Sequence, residues 1–453
     1  MRDHSNHIQL TREEAVEQTL AALNSRAGGF GWNNSHKGAT NSASNKLIEQ
    51  VPLIESVGRV AAFDVCARND MPSSLTCAMD SIALHWEDFA DLAEGELPDT
   101  SAWVRGRDWE FANTGVAMPE GFDTAIVIEH AQVSEDEQHV TIDAAPSKKG
   151  AGTRPPGSSM RRGDVLVAAG TVITPDLAAR IGSGNIAHVA VIRKPRVAFI
   201  PTGNELIAPG VPFDPDRPKL FTGKGKNFET NSILVQAKCE AWGGQFIPFD
   251  ITADTKEDIR EAISQAVSMA DIVVLNAGSS KGSDDWSCEV MEEMGQMICH
   301  QTNHGPGHHS SFAIVSEVPI VGISGPSAGA SFTLNFYLRP LMRAFLGLEP
   351  EVERTPVVLA KEFPKAHRHA SGTKHGGEVR PKEHHPHKEG EPEFFNISLL
   401  RAEYADDGRL VAYPITGRPG TPESYTANMY YMRPNGPGIE EPKAGDVIMA
   451  EWR

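Results

Sequence analysis

The sequence predicts a multidomain α/β protein. A central parallel-sheet α/β domain is expected, with helical and β-rich N-terminal modules before it and a small C-terminal β-barrel after it. Three observations carry this. The chain has 453 residues, room for roughly three domains. Apolar residues make up 40% and charged residues 23%, a globular balance. Between residues 194 and 349, short apolar runs alternate with helical stretches, the pattern of a parallel sheet covered on both faces.

The elements follow in order. LTREEAVEQTLAALN, residues 10–24, opens with a Thr-x-x-Glu capping box, Thr11 to Glu14, and keeps helical spacing. Residues 26–45 are rich in Gly, Asn and Ser and read as a loop, and 46–62 read as a second helix. Residues 63–149 hold short alternating runs such as TAIVIEH and read as a small β-rich module. That module is inserted in a mixed domain formed by 1–62 and 150–193, whose helix is expected at 175–183.

The α/β block spans 194–349. Its strands are expected at PRVAFIPT, QFIPFDI, DIVVLNAG, FAIVSE and PIVGISG, and its helices near 230–242, from Thr255, near 285–296 and at 327–346. The last block, 350–453, contains four strand-like runs: VVLAKEF, FFNISLLRAEY, RLVAYPI and DVIMAEW. A polar insertion, 364–393, interrupts it.

Acids outnumber bases 60 to 42, giving a formal charge of −18. A general nucleic-acid binder shows the opposite sign, so no nucleic-acid partner is expected. Five cysteines, none in a CxxC pair, argue against a disulfide framework or a structural zinc site. No signal-like or membrane-spanning apolar run is found, so a cytoplasmic protein without a membrane partner is expected.

Open α/β sheets bind ligands beyond the carboxyl ends of their strands. Those ends lead into Thr202-Gly203-Asn204-Glu205, into Asp254, into Gly278-Ser279-Ser280-Lys281-Gly282 with Asp285, and into Ser324-Gly325-Pro326-Ser327. Two of these ends are Gly- and Ser-rich turns before helices, where backbone N–H groups suit a phosphate. Glu205, Asp254 and Asp285 are the candidate ligands of a divalent cation such as Mg²⁺, or would orient a nucleophile. The bland alternative is a set of tight turns, with Asp285 serving as a helix cap. Neither a Walker loop nor GxGxxG is present, so no nucleotide class is legible.

The order of motifs goes further. VGRVAAFDVCARNDMP with CAMDSIAL, NTGVAMPEGFDTAIVIE, RRGDVLVAAGTVITP, IRKPRVAFIPTGNELIAPG and ETNSILVQAKCEAWGG occur in that order. Together they resemble the molybdopterin molybdenumtransferase family, related to the E domain of gephyrin. The resemblance implies insertion of molybdenum from molybdate into adenylated molybdopterin, with Mg²⁺ and with release of AMP. It also implies a homodimer whose cleft takes residues from both subunits, and a recipient molybdoenzyme or chaperone for the product. Carried over by position, Asp80, Glu205, Asp254 and Asp285 become acidic cleft residues. The turns at 278–282 and 324–329, Thr202, Gly203 and His308 become substrate contacts.

The chain also departs from the family. Ser81 stands for a family Gly and Cys77 for a Ser. Gly157-Ser158-Ser159 stands for Gly-Glu-Asp. Gly305-Pro306-Gly307-His308-His309 stands for Lys-Pro-Gly-Lys-Pro, which removes two cations from a site meant to hold anions. Lys281, His304, His308 and His309 are partial substitutes, since imidazole is only partly charged near neutrality. The alternative is therefore a catalytically altered relative that binds and delivers the pterin or a metal. The six histidines between His367 and His387 could bind metal, or form a solvated loop.

Overall fold

The computed structural model describes residues 8–27, 47–93, 95–210, 227–277, 286–350, 353–364, 392–417 and 421–453. The chain divides into two units, one made of Leu47–Ile192, the other of Met1–Lys46 with Arg193–Arg453.

Helix α1, Arg12–Ala27, opens the larger unit. The Thr11 hydroxyl accepts from the Glu14 N–H at 3.2 Å, and the Glu14 carboxylate accepts from the Thr11 N–H at 2.8 Å. That is the reciprocal capping box the spacing implies. Its Ala15 and Leu23 are buried in the α/β core. The first helix therefore packs with the α/β layer rather than with residues 150–193, where the expected grouping of 1–62 would place it.

The Leu47–Ile192 unit holds strand β1, Ile48–Pro52. A helix was expected over 46–62, but only a single 3-10 turn, Leu53–Ser56, follows β1. Tertiary pairing overrides local propensity here. In chain order come β2, Ser81–Leu84, β3, Trp109–Ala112, and β4, Thr124–Val127, which form an antiparallel sheet with β2 central. Helix α2, Pro175–Ser183, is capped by the Thr174 hydroxyl, which accepts from the Leu177 N–H at 3.2 Å. Strand β5, His188–Ile192, then pairs antiparallel with β1, from Ile48↔Ile192 to Pro52↔His188.

In the larger unit the strands are β6, Arg196–Ile200, β7, Gln245–Pro248, β8, Ile272–Ala277, β9, Gln296–Cys299, β10, Ser311–Val315, and β11, Val318–Ser324. They make one six-stranded sheet in the order β7-β6-β8-β11-β10-β9. The first four are parallel, while at one edge β10 pairs antiparallel with β11 and β9 pairs antiparallel with β10. The parallel sheet expected from the sequence forms its centre, and the antiparallel pairs extend it at this edge. Ser316 and Glu317, with φ of +49° and +68°, join β10 to β11 as a two-residue hairpin. A connection that short can link only antiparallel strands.

Both faces of the central strands are buried. Val197 and Phe199 of β6 enter one core, and Ala198 and Ile200 the other. The first core is covered by α1, by α3, Asn231–Ala241, and by a long apolar helix. The second is covered by α4, Lys256–Met269, and α5, Ser287–Met294. Ile259, Ala262, Ile263 and Ala266 of α4 recur at the i, i+3, i+4, i+7 spacing of a one-faced helix. The long helix is α6, Ser327–Thr333, then a π turn, Leu334–Leu338, then α7, Arg339–Phe345.

Five strands close the C-terminal barrel: β12, Thr355–Leu359, β13, Phe394–Tyr404, β14, Leu410–Pro414, β15, Met429–Asn435, and β16, Val447–Trp452. The ring runs β13-β14-β12-β16-β15 and returns to β13. Strand β15 was not read from the sequence. Leu359, Leu400, Ala412, Met429 and Ile448 fill the barrel. Most of the insertion at 364–393, with its histidines, lies outside the described residues. Among those residues, no helix is long and apolar enough to cross a membrane.

Candidate functional site

The carboxyl ends of β6, β8 and β11 are bound to one another by side chains. The buried Thr202 hydroxyl donates to the Asn276 carbonyl oxygen. Asn231, the first residue of α3, donates from its side-chain amide to Asn276 Oδ1 at 2.9 Å and to the Gly325 carbonyl at 3.0 Å. Asn276 in turn donates from its own amide to the Thr202 carbonyl at 3.3 Å. Three strand ends and one helix start are thus held by two carboxamides. Buried polar groups of this kind are costly unless paired, and both Asn276 side-chain atoms and the Asn231 amide nitrogen are paired, while Asn231 Oδ1 is buried without a partner.

Beside this frame lies the acidic edge. Gly203 has φ +149°, and a Cβ there would stand 2.8 Å from Glu205 Oε2. Only glycine lets the Glu205 carboxylate fold back over the strand end. The Asn204 N–H donates to Asp254 Oδ2 at 2.9 Å, so Glu205 and Asp254 sit on two loops joined by a direct hydrogen bond. Both are at least partly exposed.

The third side is the turn from Gly305 to Ser310. Ser310 Oγ donates to the Gly307 carbonyl at 2.7 Å and lies 2.9 Å from Thr333 Oγ1 of α6. A Cβ on Gly307, whose φ is +104°, would lie 3.1 Å from Thr333 Oγ1 and 3.3 Å from the Gly329 carbonyl. The turn therefore lies flush against the first turn of α6. His308 is exposed on it, its ring centroid 3.7 Å from that of His309. Beneath it His304 is fully buried, with Nε2 2.7 Å from the Tyr337 hydroxyl. Burial pushes its pKa down to about 3, so it is neutral at physiological pH and supplies no cation.

Of the residues expected from sequence, Thr202, Gly203, Glu205, Asp254, His308, Ser324, Gly325 and Ser327 lie on these loops. Gly278, Ser279, Ser280, Lys281, Gly282 and Asp285 lie outside the described residues. Asp80 belongs to the other unit, where its Oδ1 accepts from the Thr114 N–H at 2.9 Å. The sequence reading gave no role to Asn231 or Asn276. A carboxamide closing the apolar run IVVLN was the available signal, because a buried strand rarely ends in an unpaired polar side chain.

The donor chemistry suits a hard cation. Mg²⁺ takes one or two carboxylates and leaves its other positions to water and substrate phosphate. Glu205 and Asp254 are the described residues that would hold it. Among the described residues no group of three or more His, Cys, Asp or Glu is placed to hold a metal by itself.

Comparison with known proteins defines the class first. Residues 10–183 match the MoeA N-terminal region, domains I and II, and residues 198–344 match the probable molybdopterin binding domain. The molybdopterin molybdenumtransferase of Haemophilus influenzae is 26% identical over 67% of this chain and 77% of its own length. That of Synechococcus elongatus is 29% identical over 66% of this chain and 75% of its own. The molybdopterin biosynthesis MoeA protein of Pyrococcus horikoshii shares the fold, with a TM-score of 0.68 at 20% identity, over 98% of this chain and 99% of that one. The chain belongs to the molybdopterin molybdenumtransferase family, as a divergent member.

Proposed function

We propose that this chain inserts molybdenum, supplied as molybdate, into adenylated molybdopterin and releases AMP, within molybdenum cofactor biosynthesis. The observation that carries the reading is the Asn231–Asn276 frame, which holds three strand ends together beside Glu205 and Asp254. In this reading the exposed Gly325-Pro326-Ser327 turn, Thr202, Gly203, Ser324 and His308 bind the anionic parts of the substrate. Residues 278–282 do the same. Glu205 and Asp254, with Asp285, orient molybdate or hold Mg²⁺, which when bound would neutralise charge on the substrate phosphates. Asp80 contributes from a second subunit of a homodimer. The setting is the cytoplasm, and the product passes to a recipient molybdoenzyme or chaperone.

The departures at Gly305–His309 favour a second reading, in which the chain binds the pterin without turning it over. One experiment separates them. Purified protein is given adenylated molybdopterin, molybdate and Mg²⁺, and AMP is measured by chromatography alongside calorimetric binding of the pterin. AMP release supports the transferase. Tight binding with no AMP supports delivery, and absence of binding removes both.

A further inference from the structure

Away from the strand ends, three cations gather where α3 meets the long helix. Lys238 and Trp242 are one turn apart at α3 and its C-terminal cap. Asn335 and Arg339 are spaced alike across the π turn into α7. The Lys238 ammonium donates to Asn335 Oδ1 at 2.7 Å and lies 5.3 Å from the Trp242 ring centroid. The Arg339 guanidinium lies 5.9 Å from the same centroid. Arg453 stands near, its Nη1 donating to the Ser424 carbonyl at 2.6 Å.

None of the three has a carboxylate partner among the described residues. The charges that bear on Lys238 are those of Arg453 and Arg339, both repulsive. This is unusual in a chain with 60 acids and 42 bases, where a stray cation has many acids to pair with. The π turn is a second, independent sign. Such insertions are rare, carry a local cost, and recur at functional sites. Here the turn holds Asn335, the residue that fixes Lys238.

We propose that Lys238, Arg339 and Arg453 form a binding site for a tetrahedral oxyanion of the phosphate class, seated beside the Trp242 ring. Burial first, then Arg453 and Arg339, lower the Lys238 pKa to about 8. An anion seated there reverses both unfavourable effects of the charges. Lys238 follows Asn231 by two helical turns, a rise of about 10 Å, so the site is distinct from the strand-end loops.

The test is local. The intact protein is labelled with acetic anhydride, with and without inorganic phosphate or molybdate, and each lysine is read by mass spectrometry. Either anion is expected to slow labelling of Lys238 about tenfold, by occluding the amine and raising its pKa. Lys256, already paired with Glu289 and Glu293, should not change. The protection should disappear in Arg339→Met, which keeps the aliphatic stem against Trp242. Equal labelling of Lys238 with and without both anions overturns the proposal, as does protection that survives in both Arg339→Met and Arg453→Met.

Discussion

Arg12 of the first helix and Glu451 of the last barrel strand form an ion pair 2.6 Å long, with both residues about 95% buried, at 5% and 3% exposure. Arg12 also lies 4.0 Å over the Phe336 ring, and the Tyr430 hydroxyl donates to the other Glu451 oxygen at 2.5 Å. Both Glu451 oxygens and Arg12 Nη1 are therefore engaged. Removing one partner strands a charge out of water. Glu451→Ala is expected to lower unfolding free energy by about 3–5 kcal/mol, measured by urea denaturation. A loss under about 1 kcal/mol would show that Arg12 finds water instead.

His304 sets a pH dependence. Its folded pKa, lowered by burial to about 3, lies below the ordinary value near 6.5. The unfolded chain takes up a proton first as pH falls. Stability from this group is thus complete above about pH 6.5 and is lost progressively down to about pH 3. In His304→Gln, stability at neutral pH should drop while the slope between pH 6.5 and 4 flattens. An unchanged slope would refute the assignment.

Gly325 and Gly329 should respond in opposite ways. A Cβ on Gly325 meets nothing within 4 Å, whereas one on Gly329 would overlap Ser324 Oγ. Gly325→Ala is expected to leave stability within about 0.5 kcal/mol and to raise KM, because it intrudes on the proposed substrate turn. Gly329→Ala is expected to cost about 1–3 kcal/mol. Thermal unfolding and AMP-release kinetics on both variants test this.

Asp254→Asn preserves an oxygen to accept from the Asn204 N–H, so the loop should hold. Loss of the charge alone should lower kcat by about 10²-fold with little change in Tm. Full activity in this variant would remove Asp254 from the proposed chemistry.

Much of the architecture was legible because local signals and tertiary structure agree. The Thr11–Glu14 box and Thr255, whose hydroxyl accepts from the Asp258 N–H at 3.1 Å, mark helix starts that the structure keeps. The alternate burial of Val197 to Ile200 follows from an apolar run with no polar face. What was missed depends on partners distant in sequence. Residues 48–52 become a strand because β5 supplies a pairing edge 144 positions on, at Ile48↔Ile192. Strand β15 is legible only with β13 and β16 beside it. The Asn231–Asn276 bond joins residues 45 apart, and no local pattern announces it. The acidic loop residues were legible as types, but their geometry rests on Gly203 and Asn204.

The pairing of Ile48 with Ile192 has one more consequence. The polypeptide enters and leaves the Leu47–Ile192 unit at two adjacent points, and both points lie on one hairpin-like pair of strands. A segment arranged this way is portable. Its two ends lie side by side, so exchange for the matching segment of a relative leaves both connection points next to each other.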